Sequence, residues 1–298
     1  MRKPTMVALV SVIGAAFLAL EVSAQNPPMP QNPPKQEKFE LNTLLMECTF
    51  EVEGRTAQGQ ATIGTGFVMG RPIPGTPGRA RYVLITAAHV LDEMAGDSAI
   101  LHLRRKLAEN TWVHAPIPMP IRVNGQPLWT KRPDADVAVM YVQLPSEVSL
   151  PLMSTELLAD DAMLSRFEIH PGDEVECLGY PLGNASNEAG FPILRSGKIA
   201  SYPLLPTGVT RTFLFDFRVF KGNSGGPVYL VQLGRVYGNA IHFDQTVAFI
   251  VGLVSEERVF PQVTSGPYEQ ELRQVQLSLA VVVHASLIRQ AVEMLPPP

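Results

Sequence analysis

Residues 220–228 read FKGNSGGPV, with Ser224 set among Gly222, Gly225 and Gly226. Glycine tolerates backbone dihedrals that other residues avoid, so a serine in such company can be turned out of a tight bend with its hydroxyl presented. The same absence of side chains lets a substrate carbonyl approach backbone N–H groups, which stabilise an oxyanion as its charge develops in the transition state. A Gly-rich turn in a strand-rich protein has the same composition, so this segment alone does not settle the chemistry. A serine hydroxyl also needs a base. Of the six histidines, His89 closes ITAAHV (85–90), behind an apolar run and beside the small Ala87 and Ala88. His102, His114, His170, His242 and His284 have no comparable setting. A carboxylate must then orient the imidazole. Asp136 directly precedes the apolar run 137–142, and Asp134 is its rival two residues earlier. No HExxH pattern or similar ligand pair occurs, so no metal or cofactor is expected.

The elements that must position these groups read mostly as strands. Residues 45–52 alternate, with Met46, Cys48, Phe50 and Val52 on one face, and residues 212–219 repeat the pattern with Phe213, Phe215, Phe217 and Val219. The runs 82–86, 137–142 and 247–254 suit buried strands, while 70–79 and 171–174 are rich in turn residues. Many short strands punctuated in this way predict an all-β sandwich or barrel. A polar stretch over 145–170 divides two lobes, about 40–144 and 171–283. Leu287, Ile288, Ala291 and Leu295 recur at helical spacing, predicting a C-terminal helix over about 286–295 with Ser286 as its cap. Cys48 and Cys177 both lie on apolar faces, which fits either a disulfide or two separately buried thiols.

The N-terminus has a different logic. Arg2 and Lys3 precede an apolar run at 6–20, and Val22-Ser23-Ala24 offers small residues for cleavage, so residues 1–24 read as a secretory signal. The run is short of the ~20 residues a membrane-spanning helix needs; no stable membrane insertion is expected after cleavage. Residues 25–38 form a Pro-rich linker, and the folded domain is expected over 39–298. The expected compartment is therefore periplasmic or extracellular. A formal net charge of −4 argues against a nucleic-acid partner. Oligomeric state is not legible.

TAAH at 86–89, DVAV at 136–139 and GNSGGP at 222–227, in the order His…Asp…Ser, resemble the trypsin/chymotrypsin superfamily of serine proteases. GTGF (64–67), GYPLGN (179–184), GKIAS (197–201), Asp216 and VGLVS (251–255) are similar to the HtrA (Deg)-type bacterial members, though no PDZ-like region follows. Asn223 and the lack of an Ile-Val-Gly-Gly start depart from the zymogen-type enzymes. The resemblance implies two six-stranded-type β-barrels, protein or peptide substrates, and a triad of His89, Asp136 and Ser224. It further implies an oxyanion hole from the backbone N–H groups of Gly222 and Ser224. By the same resemblance Arg218, six residues before the serine, lies at the base of the substrate pocket, with Ser255 and Glu257 along its wall. An arginine there would disfavour cleavage after Lys or Arg and favour small apolar or acidic residues, unless its alternation turns it to solvent. The alternative functions are a catalytically weak peptide-binding protein of this fold, or an esterase using the same nucleophile.

Overall fold

The computed structural model describes residues 40–265 and 270–298, with side-chain burial given outside 259–276. The signal-like segment 1–24 and the Pro-rich stretch 25–38 lie outside the described residues. The described residues open with helix α1 (Leu41–Cys48) and strand β1 (Thr49–Arg55). This corrects the strand expected over 45–52. Leu41, Leu45 and Cys48 are buried at i, i+4 and i+7, a helical stripe. The apparent alternation had joined the end of that stripe to the start of β1.

The first lobe continues with β2 (Ala61–Pro72), β3 (Ala80–Thr86), the short helix α2 (Ala88–Asp92), β4 (Ser98–Ala108) and β5 (Thr111–Pro120). After a small hairpin of β6 (Arg122–Val123) and β7 (Gln126–Pro127) come β8 (Thr130–Lys131) and β9 (Ala138–Tyr141). Its sheet runs in the order β5-β4-β1-β2-β3-β9-β8. Phe50, Phe67, Leu84, Ile85 and Val139 are fully buried within it, each contributing about 1.5–3 kcal/mol by leaving water.

The second lobe is a closed six-stranded barrel, ordered β10-β11-β12-β15-β14-β13. Its strands are β10 (Glu174–Gly179), β11 (Ile193–Ile199), β12 (Thr212–Asp216), β13 (Pro227–Tyr237), β14 (Ala240–Ser265) and β15 (Gln270–His284). Phe215, Tyr229, Phe249, Ile250 and Val282 fill it. Between the lobes, helix α3 (Asp161–Arg166) is capped by Asp160, whose Oδ1 accepts from the Met163 N–H at 2.8 Å. Bridges Gly70–Ser154 and Leu158–Ile250 tie this connector to both lobes.

Helix α4 (Ala285–Met294) closes the chain. Ser286 does not cap it; its hydroxyl donates to Thr207 Oγ1 at 2.7 Å. The helix returns to the first lobe, where Arg132 donates to Gln290 and Arg71 to the carbonyl of Leu295. A second tie is Arg104, 1% exposed. It donates to the carbonyls of Met46, Glu47, Thr49 and Gly190 and to Tyr180 Oη, so one buried charge is held by acceptors from both lobes. Cys48 and Cys177 are free and separately buried, and burial pushes both thiols up to about 12. Among the described residues no helix is long and apolar enough to cross a membrane.

Candidate active site

His89 lies in α2, immediately past the end of β3, and Asp136 lies just before β9, the strand paired with β3. Strand pairing therefore brings the two together. Asp136 Oδ2 accepts from His89 Nδ1 at 2.7 Å, and Oδ1 accepts the backbone N–H of the same residue at 3.0 Å. The Ser255 hydroxyl adds a third donor, to Oδ2, at 2.5 Å. Burial alone would raise the Asp136 carboxyl; the hydrogen bond and charge of His89, with Ser255, outweigh it and hold the group at about 2. Burial alone would lower His89. The hydrogen bond and charge of Asp136, aided by the charges of Glu93 and Glu256, turn its shift upward. With Nδ1–H committed to Asp136, Nε2 is left as the basic nitrogen. Asp134, the rival, is instead paired with Arg132 at 2.9 Å and Arg211 at 3.4 Å.

Ser224 occupies the turn between β12 and β13. Gly222 and Gly225 both have positive φ, +99° and +87°, and a Cβ on either would strike a backbone oxygen, of Tyr180 or of Thr65. Only glycine fits these two places. The Asn223 N–H donates to Phe220 O and the Gly225 N–H to Val254 O. Among the described residues the N–H groups of Gly222 and Ser224 have no acceptor. Thr65 of β2 fixes this turn: its hydroxyl donates to Gly222 O at 2.6 Å, and its backbone N–H to Ser224 O at 2.8 Å. The Ser224 hydroxyl itself donates to Ser255 O at 2.9 Å. A cleft of about 250 Å³ is lined by His89, Ser224, Gly222, Thr62, Glu93 and Lys221. A nucleophile candidate, a base candidate and two unpartnered N–H donors thus belong to one cleft.

The residues expected at the substrate pocket have different surroundings. Arg218 is exposed, its guanidinium stacked 5.0 Å over the Phe220 ring. Ser255 is buried and directs its hydroxyl to Asp136 and its carbonyl to Ser224. Its place is within the hydrogen-bonded cluster. Glu257 is half-buried, with Oε1 lacking a hydrogen-bond partner among the described residues. Sequence reasoning missed Thr65, whose hydroxyl also accepts the Tyr180 N–H at 3.2 Å. The GTGF segment contains it, but nothing local in that run signals a contact 157 residues away.

The model of the trypsin-like peptidase domain matches residues 64–238, a span containing His89, Asp136 and Ser224. Two solved structures are similar to the chain. One is the thermostable serine protease AL20 from an extremophilic microorganism (TM-score 0.44, 13% identity, covering 83% of this chain and 95% of that one). The other is the protease Anisep from Arthrobacter nicotinovorans (TM-score 0.44, 14% identity, 84% and 97%). No curated protein matches the chain.

Proposed function

The chain belongs to the trypsin-like peptidase family, and on that premise we propose that it is an exported serine endopeptidase of the HtrA type. In this reading Ser224 Oγ turns from the Ser255 carbonyl toward His89 Nε2 and attacks the scissile carbonyl as His89 takes its proton. The N–H groups of Gly222 and Ser224 receive the oxyanion. His89 then returns the proton to the leaving amine, and water repeats the sequence on the acyl-enzyme. Asp136 holds the Nδ1–H tautomer and stabilises the imidazolium. The observation that carries the proposal is the 2.7 Å bond from His89 Nδ1 to Asp136 Oδ2, in a cleft shared with Ser224 and two unpartnered N–H groups. The chemistry needs no metal or cofactor, and protein or peptide chains are its substrates.

The test is labelling by a fluorophosphonate followed by peptide mapping. Stoichiometric modification of Ser224, with hydrolysis of an unstructured protein lost in parallel, is expected. Hydrolysis that survives full labelling would overturn the assignment. The same protein digested against a peptide library tests the substrate expectation, that cuts after Lys or Arg are a minority.

A further inference from the structure

On the outer face of the first lobe, β1 carries Glu51 and Glu53 two residues apart and therefore on one side of the sheet. β4 runs antiparallel beside it, with Val52 opposite Leu101 and Glu53 opposite Ile100. Continuing that register brings His102 across from Glu51. One donor atom from each of Glu51, Glu53 and His102 lies within 4.8 Å of the other two, and His102 Nε2 is 3.0 Å from Glu53 Oε2. Zinc bonds of about 2.0–2.2 Å to nitrogen and oxygen put tetrahedral ligand atoms roughly 3.3 Å apart. Small side-chain rotations on a rigid sheet reach that spacing.

The far side of the imidazole supplies a separate observation. His102 Nδ1 is 3.1 Å from Nε2 of His114, which stands on β5. Ligating histidines ordinarily have their second ring nitrogen engaged by an outer partner that fixes tautomer and ring orientation. When Nδ1–H donates to His114, the Nε2 lone pair of His102 faces a carboxylate oxygen. Two acceptors at that distance need a proton or a metal ion between them. Among the described residues the Glu51 carboxylate has no hydrogen-bond donor at all, so two carboxylates meet one imidazole with little to offset their charge.

We propose that Glu51, Glu53 and His102 form a zinc site, with water in the fourth position and His114 as a positioning residue behind His102. The mixed nitrogen and oxygen donors suit zinc; calcium and magnesium prefer oxygen ligands alone. Glu51 also reaches toward the second lobe, since a Cβ on Gly183 would lie 3.9 Å from its Oε1. Leu182 in that turn donates its N–H to Lys221 O at 2.6 Å, just ahead of the Ser224 loop. Zinc would thus clamp β1 to β4 beside the turn that supports this loop. No step of peptide hydrolysis passes through it, and the site stands or falls independently of the triad.

The test uses the full protein carrying Ser224→Ala to prevent self-digestion, stripped with a chelator and titrated with zinc chloride by calorimetry and thermal unfolding. One zinc per chain is expected, and Tm should rise by about 5 °C when free zinc is 100-fold above Kd. Glu53→Gln, His102→Asn and the size-preserving Glu51→Gln should each weaken binding at least tenfold, so a folding defect in one does not decide the outcome. His114→Ala should weaken it by about tenfold through orientation alone. Absence of a zinc-dependent rise in Tm would overturn the proposal. So would equal affinity in all three ligand variants, which would put the zinc elsewhere, or an equal response to magnesium.

Discussion

Two histidines of the first lobe face carboxylates at similar distances, His89 to Asp136 at 2.7 Å and His102 to Glu53 at 3.0 Å. Their surroundings differ in what is left unused. Asp136 takes three donors, from the His89 ring, the His89 backbone and Ser255, while the second ring nitrogen of His89 is left free beside a cleft. His102 has both ring nitrogens occupied, by Glu53 and His114. A histidine–carboxylate pair is therefore not by itself a mark of acid–base catalysis. The free nitrogen, and the groups that can receive charge near it, separate the two sites.

The comparison breaks most directly at the hydroxyl. Ser224→Ala should cost about a million-fold in kcat, and adding His89→Ala should cost little more, because the groups act as a unit. The fold should persist, since among the described residues the side-chain bond removed is the one to the Ser255 carbonyl. Retention of more than a few per cent of activity, measured after active-site titration, would move the nucleophile elsewhere.

Matched changes at the two carboxylates are the next largest effect. Asp136→Asn can donate its amide to His89 Nδ1 and force the wrong tautomer, lowering kcat by about 10,000-fold. The pH profile gives the sign. With Asp136 present His89 is raised above its ordinary 6.5, so the ascending limb of kcat/KM lies above pH 6.5; in the variant it should move down. For stability, the depressed Asp136 contributes fully above pH 3.8 and loses its contribution as pH falls toward 2. The raised His89 contributes fully below pH 6.5 and loses its contribution as pH rises through the folded value. The corresponding change Glu53→Gln should be read in the zinc-dependent Tm. An ascending limb unmoved by Asp136→Asn would show that another group orients the base.

The candidate residues were legible because their three motifs are local: ITAAHV spans the end of a buried strand, Asp136 lies just before another, and the glycines around Ser224 advertise a turn. The strand-rich architecture was legible from alternation and turn residues. Side-chain partnerships between distant strands were not. Thr65 meets Gly222, Arg104 meets Gly190, and His102 meets Glu53 and His114 only once register and lobe packing are set, and neither leaves a period in the sequence. Ser255 was assigned to the pocket because its strand was expected to line the cleft. Its bonds, a backbone carbonyl to Ser224 and a hydroxyl to Asp136, exist only once its strand is placed beside both. The helix α1 was misread because its stripe ends where the alternation of β1 begins.

Thr65 makes the third test, because it holds the loop without touching the proposed reacting atoms. Thr65→Val keeps the shape but removes the donor to Gly222 O and the acceptor for Tyr180 N–H. Loss of an oxyanion donor outright costs about 100- to 1,000-fold; loosening its support should cost about tenfold, in kcat with KM little changed. A fall in Tm with full kcat would make Thr65 structural only.

The smallest effect should come from Glu256. It is exposed, yet its charge adds to the upward shift of His89 after those of Asp136 and Glu93. A negative charge favours the imidazolium, so Glu256→Gln should lower the ascending limb of kcat/KM, by less than Asp136→Asn does and with the plateau kept. Because this charge acts through solvent, salt should erase it: at 1 M ionic strength the screening length is about 3 Å, and wild type and variant should then coincide. Asp136, bonded directly to the ring, should keep most of its influence under the same conditions. Measuring both limbs at low and high salt therefore separates the contact carboxylate from the remote one. A Glu256→Gln shift that survives 1 M salt would mean that Glu256 reaches His89 through a direct or water-bridged bond.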